Sequence, residues 1–542
     1  MSIIYDSTGG LFNSYIINHF SSRPWIKFCY NLIKIAMTNI TELNVFCLFS
    51  LLFFLSCKPS ADMVVDTPTI KAGTSKLTGR IISPNDTNND SLFVNITIPY
   101  PISGEYVKYK AFVDQSGKFS IDVDVETDIS LIGLYTSLNP EKLLHVKLTS
   151  GGVTNIDIAY NSDDDIKNID IMPNMAKNDM TRGFEVINKM IGYRSGRTPE
   201  PLYAKNTDYF LNYAKTILSE RLEIINNDTL ISKELKEVLS RDFRLFLYNS
   251  HVFDYEEEMI LNYHNTNDDK DKKPDIQKID KSYYHFLKDF NLNDPQYLHC
   301  STFLEFQEKI LQNETLGLPV IGESDIPSWL ANVKVILSDL VGFNDGPYYD
   351  ILAANAYARQ LNGEVKPLSE KQKKNILNYW KKGEIAKILF RKNQKVIELD
   401  KVKSPTVVNE ISSVSADKVI ETIVSKHKNK VVFVDLWATW CAPCLDAMQR
   451  FKNTKNEFRD KDVVFVYLTN SSSPRKLWEE KIKGIGDEHY YLTDSQWEYI
   501  MGHFGFNAIP AYILYSKEGV LINKFTAFPE SEKLKEMING VL

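Results

Sequence analysis

One stretch decides the fold of the C-terminal part of this chain: Val431-Val432-Phe433-Val434-Asp435-Leu436-Trp437-Ala438-Thr439-Trp440-Cys441-Ala442-Pro443-Cys444. Its first residues form a hydrophobic run of strand length that carries a single acid, Asp435. A small turn follows and brings Cys441 and Cys444 to the predicted start of a helix. Strand, turn and Cys-x-x-Cys in this order are typical of a redox-active dithiol.

The spacing of the two cysteines suits reversible disulfide exchange. Two thiols separated by two residues in the first turn of a helix can close a disulfide with little backbone movement. The unpaired amides and the dipole of the helix start favour a thiolate on the first cysteine, so Cys441 is the predicted nucleophile. Cys444 lies one turn further in, is more shielded, and is predicted to resolve the mixed disulfide by a second exchange.

The acid in the hydrophobic run is the second informative feature. Asp435 stands among Val, Phe, Leu and Trp residues, so we expect it to be desolvated and its pKa to be raised. A strand that ends beneath the dithiol would place Asp435 behind the cysteines. It is therefore predicted to accept the proton of Cys444 during resolution, directly or through a water.

The segment Val434–Cys444 resembles the active-site segment of thioredoxins, and residues 405–542 as a whole resemble that superfamily. Within it the sequence is similar to the membrane-tethered TlpA/ResA-like thiol-disulfide oxidoreductases of bacterial envelopes. The resemblance implies an α/β thioredoxin fold with a mixed central sheet and a protein disulfide oxidoreductase activity. It also implies a cis-proline that faces the dithiol and offers backbone to the substrate. Pro510 lies at the matching place, and Trp440 is expected to cover the dithiol and contact the partner protein.

The sequence departs from the family pattern near the dithiol. Ala511 follows the proline where the family often has threonine, and Met448-Gln449 replaces a proline of the helix. Leu445-Asp446 replaces the basic residue often seen after the second cysteine. The redox potential therefore need not be that of the family, and reduction, oxidation and isomerisation all stay open. Resemblance to the tethered relatives favours a reductase.

A Cys-x-x-Cys pair can also belong to a zinc site, a structural disulfide or a peroxidase. A zinc site would need a second pair of ligands at suitable spacing, but His427, His489 and His503 are scattered and Cys300 is remote. An inert structural disulfide has little packing purpose in an exposed turn. A peroxidase of the peroxiredoxin type would have a lone reactive cysteine preceded by Pro and Thr or Ser, a pattern that is absent. No metal or organic cofactor is expected, because the dithiol itself carries the electrons.

Length, charge and cysteine content limit the broad class of protein. A chain of 542 residues is expected to form several domains. The net charge of −7 is spread out and the sequence pI is near 5.8, which argues against a nucleic-acid partner. Three of the six cysteines, Cys29, Cys47 and Cys57, lie in the first 57 residues. The scarcity of other cysteines suits a redox protein of an oxidising compartment, and Cys300 is expected to be a buried core residue.

Residues 1–56 are predicted to be a signal or targeting segment. The apolar run Val45–Leu55 is too short to span a bilayer comfortably and has the length of a signal-peptide core. It ends in a segment that resembles a bacterial lipobox, with Cys57 as the lipid-modified first mature residue. A start at Met37 and an ordinary buried helix are the alternatives. Residues 57–75 are then a tether, and the protein is expected in the cell envelope, facing the periplasm and lipid-anchored to the outer membrane.

Residues 76–165 alternate with a period of two. Phe119, Ile121, Val123 and Val125 alternate with polar residues after a turn at Asp114–Gly117. The pattern predicts a small antiparallel β-sandwich. It resembles the N-terminal β-domains found ahead of thioredoxin-like domains in Bacteroidetes-type lipoproteins, and we expect it to serve as a spacer or docking module.

Residues 170–400 show helical periodicity instead. Ser232 is a predicted helix cap, and Ser369–Gln372 is a predicted capping box. Apolar stripes predict helices over Phe210, Ala214, Ile217, Leu218, Leu222 and Ile225 and over Leu235, Leu239, Phe243 and Phe246. The aromatics Tyr283, Tyr284, Phe286 and Phe290 could line a groove, but at this spacing they are more typical of a core.

Two hypotheses of function follow. The first is an envelope thiol-disulfide oxidoreductase whose partners are disulfide-containing envelope proteins, an upstream electron donor and, through the anchor at Cys57, the membrane. The second is a tethered interaction protein in which the β-domain and helical domain bind a partner and residues 405–542 only stabilise the assembly.

Overall fold

A computed structural model describes residues 67–83, 92–162, 165–267, 274–401 and 404–542. The predicted signal segment and the predicted lipid-attachment residue Cys57 lie outside these ranges. Within them, no helix combines the length and the apolar character needed to cross a bilayer.

The N-terminal domain consists of two four-stranded sheets that share one hydrophobic core. The alternation that predicts strands places Phe119 and Val123 in this core, and Asp114 organises the predicted turn by accepting hydrogen bonds from the amides of Ser116 and Lys118. The strand orders are β4-β1-β7-β8 and β3-β2-β5-β6. The strands are β1 (Ile70–Ile82), β2 (Phe93–Tyr100), β3 (Glu105–Phe112), β4 (Lys118–Thr127), β5 (Ile129–Thr136), β6 (Asn139–Thr149), β7 (Val153–Ser162) and β8 (Asp165–Met172).

Three predictions about this domain are wrong. The predicted tether 57–75 ends too late, because β1 already begins at Ile70. Residues 72–75 are small or polar, but the Ala72 amide donates to Glu384 at 2.7 Å and Ile70 packs against the helical core. The sandwich is also not wholly antiparallel, since β1 pairs with β7 in parallel. Local alternation cannot reveal that the first and seventh strands meet. Strand β8 further carries the domain beyond residue 165, to Met172.

The middle domain packs its helices around one large core. Ser232 caps its helix and Ser369 forms the predicted capping box with Gln372. The predicted core interpretation of Tyr283, Tyr284, Phe286 and Phe290 is confirmed, and Cys300 is buried as expected. The helices are α1 (Lys177–Ile191), α2 (Thr207–Asn226), α3 (Lys233–Leu247), α4 (Tyr255–Thr266), α5 (Phe303–Gln312), α6 (Ile326–Val341), α7 (Pro347–Arg359), α8 (Glu370–Trp380) and α9 (Glu384–Lys401), with 3₁₀ turns at Lys281–Phe290 and Pro295–His299 and π-turns at Tyr248–Val252 and Gln360–Glu364.

The C-terminal domain is a six-stranded mixed sheet covered by helices on both faces. The strand order is β14-β13-β10-β11-β12-β9. Strands β9, β10, β11 and β12 pair in parallel, β13 pairs antiparallel with β10, and β14 pairs antiparallel with β13. Its elements are β9 (Thr406–Asn409), α10 (Val419–Lys426), β10 (Val431–Leu436), α11 (Ala442–Asn456), β11 (Val463–Thr469), α12 (Arg475–Ile485), β12 (Asp487–Tyr491), α13 (Asp494–Phe504), β13 (Ala511–Tyr515), β14 (Leu521–Phe525) and α14 (Ser531–Asn539).

Helix α12 attaches the C-terminal domain to the middle domain. Glu480 of α12 accepts a hydrogen bond from Arg359 at 2.8 Å, and Lys483 lies 3.8 Å from Glu364. The backbones approach so closely here that a Cβ added to Gly484 would lie 2.2 Å from the carbonyl oxygen of Gly363. A glycine is therefore required at position 484 for this contact.

We expect Gly484→Ala to separate α12 from the middle domain and to lower the free energy of unfolding by about 1–3 kcal/mol, the usual cost of overpacking a tight contact. Gly502→Ala is the matched control, because Gly502 is also helical and has nothing within 4 Å of the added carbon. That control should gain up to about 1 kcal/mol from helix propensity. Guanidinium unfolding of both variants measures the difference, and equal effects would contradict the close contact.

Candidate active site

The two cysteines lie between the end of β10 and the first turn of α11. Cys441 is the N-cap residue of α11, and its sulfur accepts a hydrogen bond from the Cys444 amide at an N···S distance of 3.2 Å. The sulfurs form a disulfide, with the Cα atoms 5.3 Å apart. Both cysteines are buried, whereas Ala442 and Pro443 between them are exposed. An amide of the helix start thus points at the sulfur of Cys441, which is the arrangement that stabilises a thiolate there.

Asp435 lies beneath the dithiol, in the buried strand β10. Its side chain shares a face of the sheet with Phe433 and Trp437, which pack in the same cluster as Cys441 and Cys444. The residue is 4% exposed, and its Oδ1 accepts no hydrogen bond from any described residue. Burial raises the pKa of Asp435 well above its ordinary value, and the charge of Lys455 opposes part of this rise.

A largely buried lysine, Lys455, supplies that charge from the last turn of α11. The Lys455 ammonium donates to the carbonyl of Ile485 at 2.8 Å and pairs with Asp487 at 2.6 Å. It also lies 3.3 Å from the hydroxyl of Tyr467, the residue that pairs with Asp435 in the sheet register. Because its side chain is only 10% exposed, the positive charge acts through a medium of low dielectric constant.

The aromatic groups around the carboxyl remain uncharged. Tyr467 and Tyr512 flank Asp435 on the neighbouring strands, and burial raises the pKa of both phenols. His489 stacks on Tyr467 with ring centres 5.0 Å apart. Burial lowers the pKa of His489 to about 3, so this imidazole is neutral at physiological pH. The charges of Asp446 and Arg450 shift the pKa of Tyr512 in opposite directions, Asp446 upward and Arg450 downward.

Pro510, the predicted substrate-binding proline, lies at the same end of the central strands as the dithiol. The Ile509–Pro510 peptide bond is cis, as expected. Ala511, the next residue, pairs with Leu436 at the end of β10, and Ile509 packs against the cluster that contains the two cysteines. Trp440 is half-buried, and its indole nitrogen donates to Ser472 at 3.3 Å. Contact of Pro510 and Trp440 with a substrate stays a prediction.

The polar residues that surround Asp435 were not predicted from the sequence. Lys455 could have been noticed, because it occupies the next position of the apolar stripe formed by Cys444, Ala447 and Phe451 on α11. Tyr467 and Tyr512 become neighbours of Asp435 only through the strand register, which the sequence does not give. In the part of the chain that the structure describes, no group of three or more His, Cys, Asp or Glu side chains is placed to hold a metal ion.

Residues 408–539 match the Redoxin family. The C-terminal domain belongs to the thioredoxin-like superfamily. The match covers this thioredoxin-like domain and does not extend to the two domains that precede it.

Individual relatives also match only part of this chain. The thiol-disulfide oxidoreductase ResA of Bacillus thuringiensis is 23% identical over 118 residues, which are 21% of this chain and 63% of that protein. The thioredoxin of Mycoplasma genitalium is 42% identical over 60 residues, 11% of this chain and 54% of that protein. A crystal structure of a putative thiol-disulfide oxidoreductase from Bacteroides vulgatus is 28% identical and covers 22% of this chain and 82% of that one, with a TM-score of 0.19. The chain thus spans less than two thirds of the ResA relative.

We expect Asp435→Asn to stabilise the oxidised protein, and to do so more strongly as the pH rises. The folded-state pKa of Asp435 lies above its unfolded value of about 3.9. The wild type therefore loses stability as the pH rises from the unfolded pKa through the folded pKa. The loss is about 1.4 kcal/mol for each unit by which the two pKa values differ. Asparagine does not titrate, so the variant does not lose stability in this way as the pH rises.

Guanidinium unfolding at intervals between pH 5 and pH 8 measures the effect. Asp417→Asn serves as the control, because Asp417 is exposed in the same domain and its replacement removes a carboxylate from the surface and leaves the buried site intact. A gain for Asp435→Asn that does not vary with pH would contradict burial of a titrating carboxyl.

Proposed function

We propose that this protein is a thiol-disulfide oxidoreductase that reduces disulfides of bacterial envelope proteins. The proposal depends on one observation: a Cys441–Cys444 disulfide at the start of α11, above a buried carboxyl whose Oδ1 has no hydrogen-bond donor among the described residues. A purely structural disulfide has no need of a desolvated acid behind it. The similarity of residues 408–539 to the Redoxin family supports the same activity.

The first step uses the reduced protein. The thiolate of Cys441 attacks one sulfur of the substrate disulfide, a bond forms between these two sulfurs, and the substrate disulfide breaks. One substrate thiolate leaves and takes a proton from solvent. The helix start lowers the energy of the Cys441 thiolate before attack, because the amide of Cys444 already donates to this sulfur. In this proposal Pro510 and Trp440 hold the substrate chain beside the mixed disulfide.

Resolution uses the second cysteine and the buried acid. Ionised Asp435 accepts the proton of the Cys444 thiol, and the resulting thiolate attacks the sulfur of Cys441. The second substrate thiolate leaves, so two electrons have passed to the substrate and the Cys441–Cys444 disulfide is restored. An upstream dithiol must then return two electrons. The charge of Lys455 makes ionisation of Asp435 less costly in its buried position.

Localisation is part of the proposal. The apolar run Val45–Leu55 followed by Cys57 supports a lipid-anchored protein of the cell envelope that faces the periplasm. The β-domain and the helical domain would then lie between the anchor and the thioredoxin-like domain along the chain.

Cysteine replacements test the activity. Cys441→Ser should reduce insulin-disulfide reduction by at least about a hundredfold, because the remaining Cys444 thiol is fully buried and Cys300 is buried in another domain. Cys444→Ser should retain the attack and accumulate a mixed disulfide with the substrate, which mass spectrometry detects as a covalent adduct. Cys300→Ala is the control and should keep full activity, because Cys300 is a buried, remote thiol. Undiminished reduction by Cys441→Ser would refute the proposal and favour a structural role for the domain.

A further inference from the structure

Strand β3 of the N-terminal domain connects the other two domains. Its first residues contact the middle domain: Glu105 pairs with Lys392 of α9, and Tyr106 donates from its hydroxyl to the carbonyl of Ser301 at 2.8 Å. Its central residue Lys108 forms an ion pair with Asp446. Asp446 lies two residues after Cys444 on α11, so β3 reaches the helix that carries the dithiol.

The second half of β3 is exposed. Lys110 and Phe112 point to the same outer face as Lys108, and β3 is an edge strand of its sheet among the described residues. Phe93 of β2 pairs with Phe112 in the register, and their rings meet edge to face with centres 6.4 Å apart. The Lys110 ammonium lies over both rings, 3.8 Å from the centre of Phe93 and 5.1 Å from that of Phe112. We call Phe93, Lys110 and Phe112 the β3 patch.

Both members of the patch on β3 are available to a partner. Phe112 is 65% exposed, an unusual position for a phenylalanine on a strand. Within the described residues, no carboxylate lies within 4 Å of the Lys110 ammonium, whereas Lys108 has Asp446 and Lys392 has Glu105. The two rings hold the ammonium over the sheet, so its charge is fixed in place before any partner arrives.

The β3 patch lies next along the strand from Lys108, the residue that contacts the dithiol helix. Residues on one face of a strand are spaced about 7 Å apart, so Lys110 lies roughly 7 Å and Phe112 roughly 14 Å beyond Lys108. Since Asp446 is within the second turn of α11, the far end of the patch is on the order of 20 Å from the dithiol. An extended polypeptide covers this distance with about six residues.

We propose that the β3 patch binds the polypeptide flank of the substrate, and that it selects disulfides followed or preceded within about six residues by acidic and aromatic side chains. This inference rests on the proposed function. A carboxylate would form a charge-assisted hydrogen bond with Lys110, and an aromatic ring would pack on Phe112. The β-domain is then a substrate-binding part of the enzyme.

The test compares three disulfide substrates with the full-length protein. Two synthetic peptides carry the same disulfide loop, one flanked by Glu and Phe residues and the other by Lys and Ser residues; 2-hydroxyethyl disulfide is the small neutral substrate. Lys110→Glu and Phe112→Ala should each raise the KM for the acidic peptide about three- to tenfold and leave its kcat unchanged. Neither should alter reduction of the small disulfide, which cannot reach the patch. Lys167→Glu, an exposed lysine on the edge strand β8 of the other sheet, is the matched control.

The outcomes separate this inference from the proposed function. The inference is overturned if wild-type protein reduces the acidic and basic peptides with equal KM, or if Lys110→Glu and Lys167→Glu give the same KM for the acidic peptide. Failure of the wild type to reduce the small disulfide would instead contradict the oxidoreductase activity itself. If Lys110→Glu had a lower KM for the basic peptide than for the acidic one, the inference would be supported most strongly.

Discussion

A carboxyl group buried beneath a disulfide is the constraint on which the C-terminal domain depends. Removing Asp435 from water disfavours its charged form, and no described donor compensates its Oδ1. Such a group lowers stability at neutral pH, and two neighbouring tyrosines and a neutral histidine do nothing to neutralise it. Lys455 is the charge that opposes the cost. Its own ion pair with Asp487 keeps the ammonium in the interior, where it would otherwise be unstable.

Helix α11 combines three tasks along its length. Its first turn carries the dithiol and directs an amide at the sulfur of Cys441. Its second turn presents Asp446 to Lys108, so the acid that departs from the family pattern has a structural partner in the β-domain. Its last turn supplies Lys455 to the pocket beneath the sheet. The redox site, the contact with the N-terminal domain and the electrostatics of the buried acid therefore depend on one element.

The sequence predicts structure correctly where a short-range pattern determines it. The strand with Asp435, the turn and the helix that begins at the dithiol follow from local hydrophobicity and motif spacing. The cis-proline before β13 is expected only from the resemblance to the thioredoxin superfamily. Contacts between strands and helices that are distant in the chain were not predictable from the sequence. The early start of β1 depends on contacts with a helix some 300 residues away, and the parallel β1–β7 pair depends on topology. The role of Lys455 required knowing which face of α11 is buried.

The central claim is that the bond between Cys441 and Cys444 opens and closes reversibly under physiological redox conditions. Equilibrating the protein with glutathione buffers, alkylating the free thiols and counting them at each cysteine by mass spectrometry measures this directly. The account predicts a single two-electron transition in which both thiols appear together. The ratio of the dithiol form to the disulfide form should change tenfold for every ~30 mV. A pair that stays bridged in every buffer, or thiols that appear independently of each other, would contradict it.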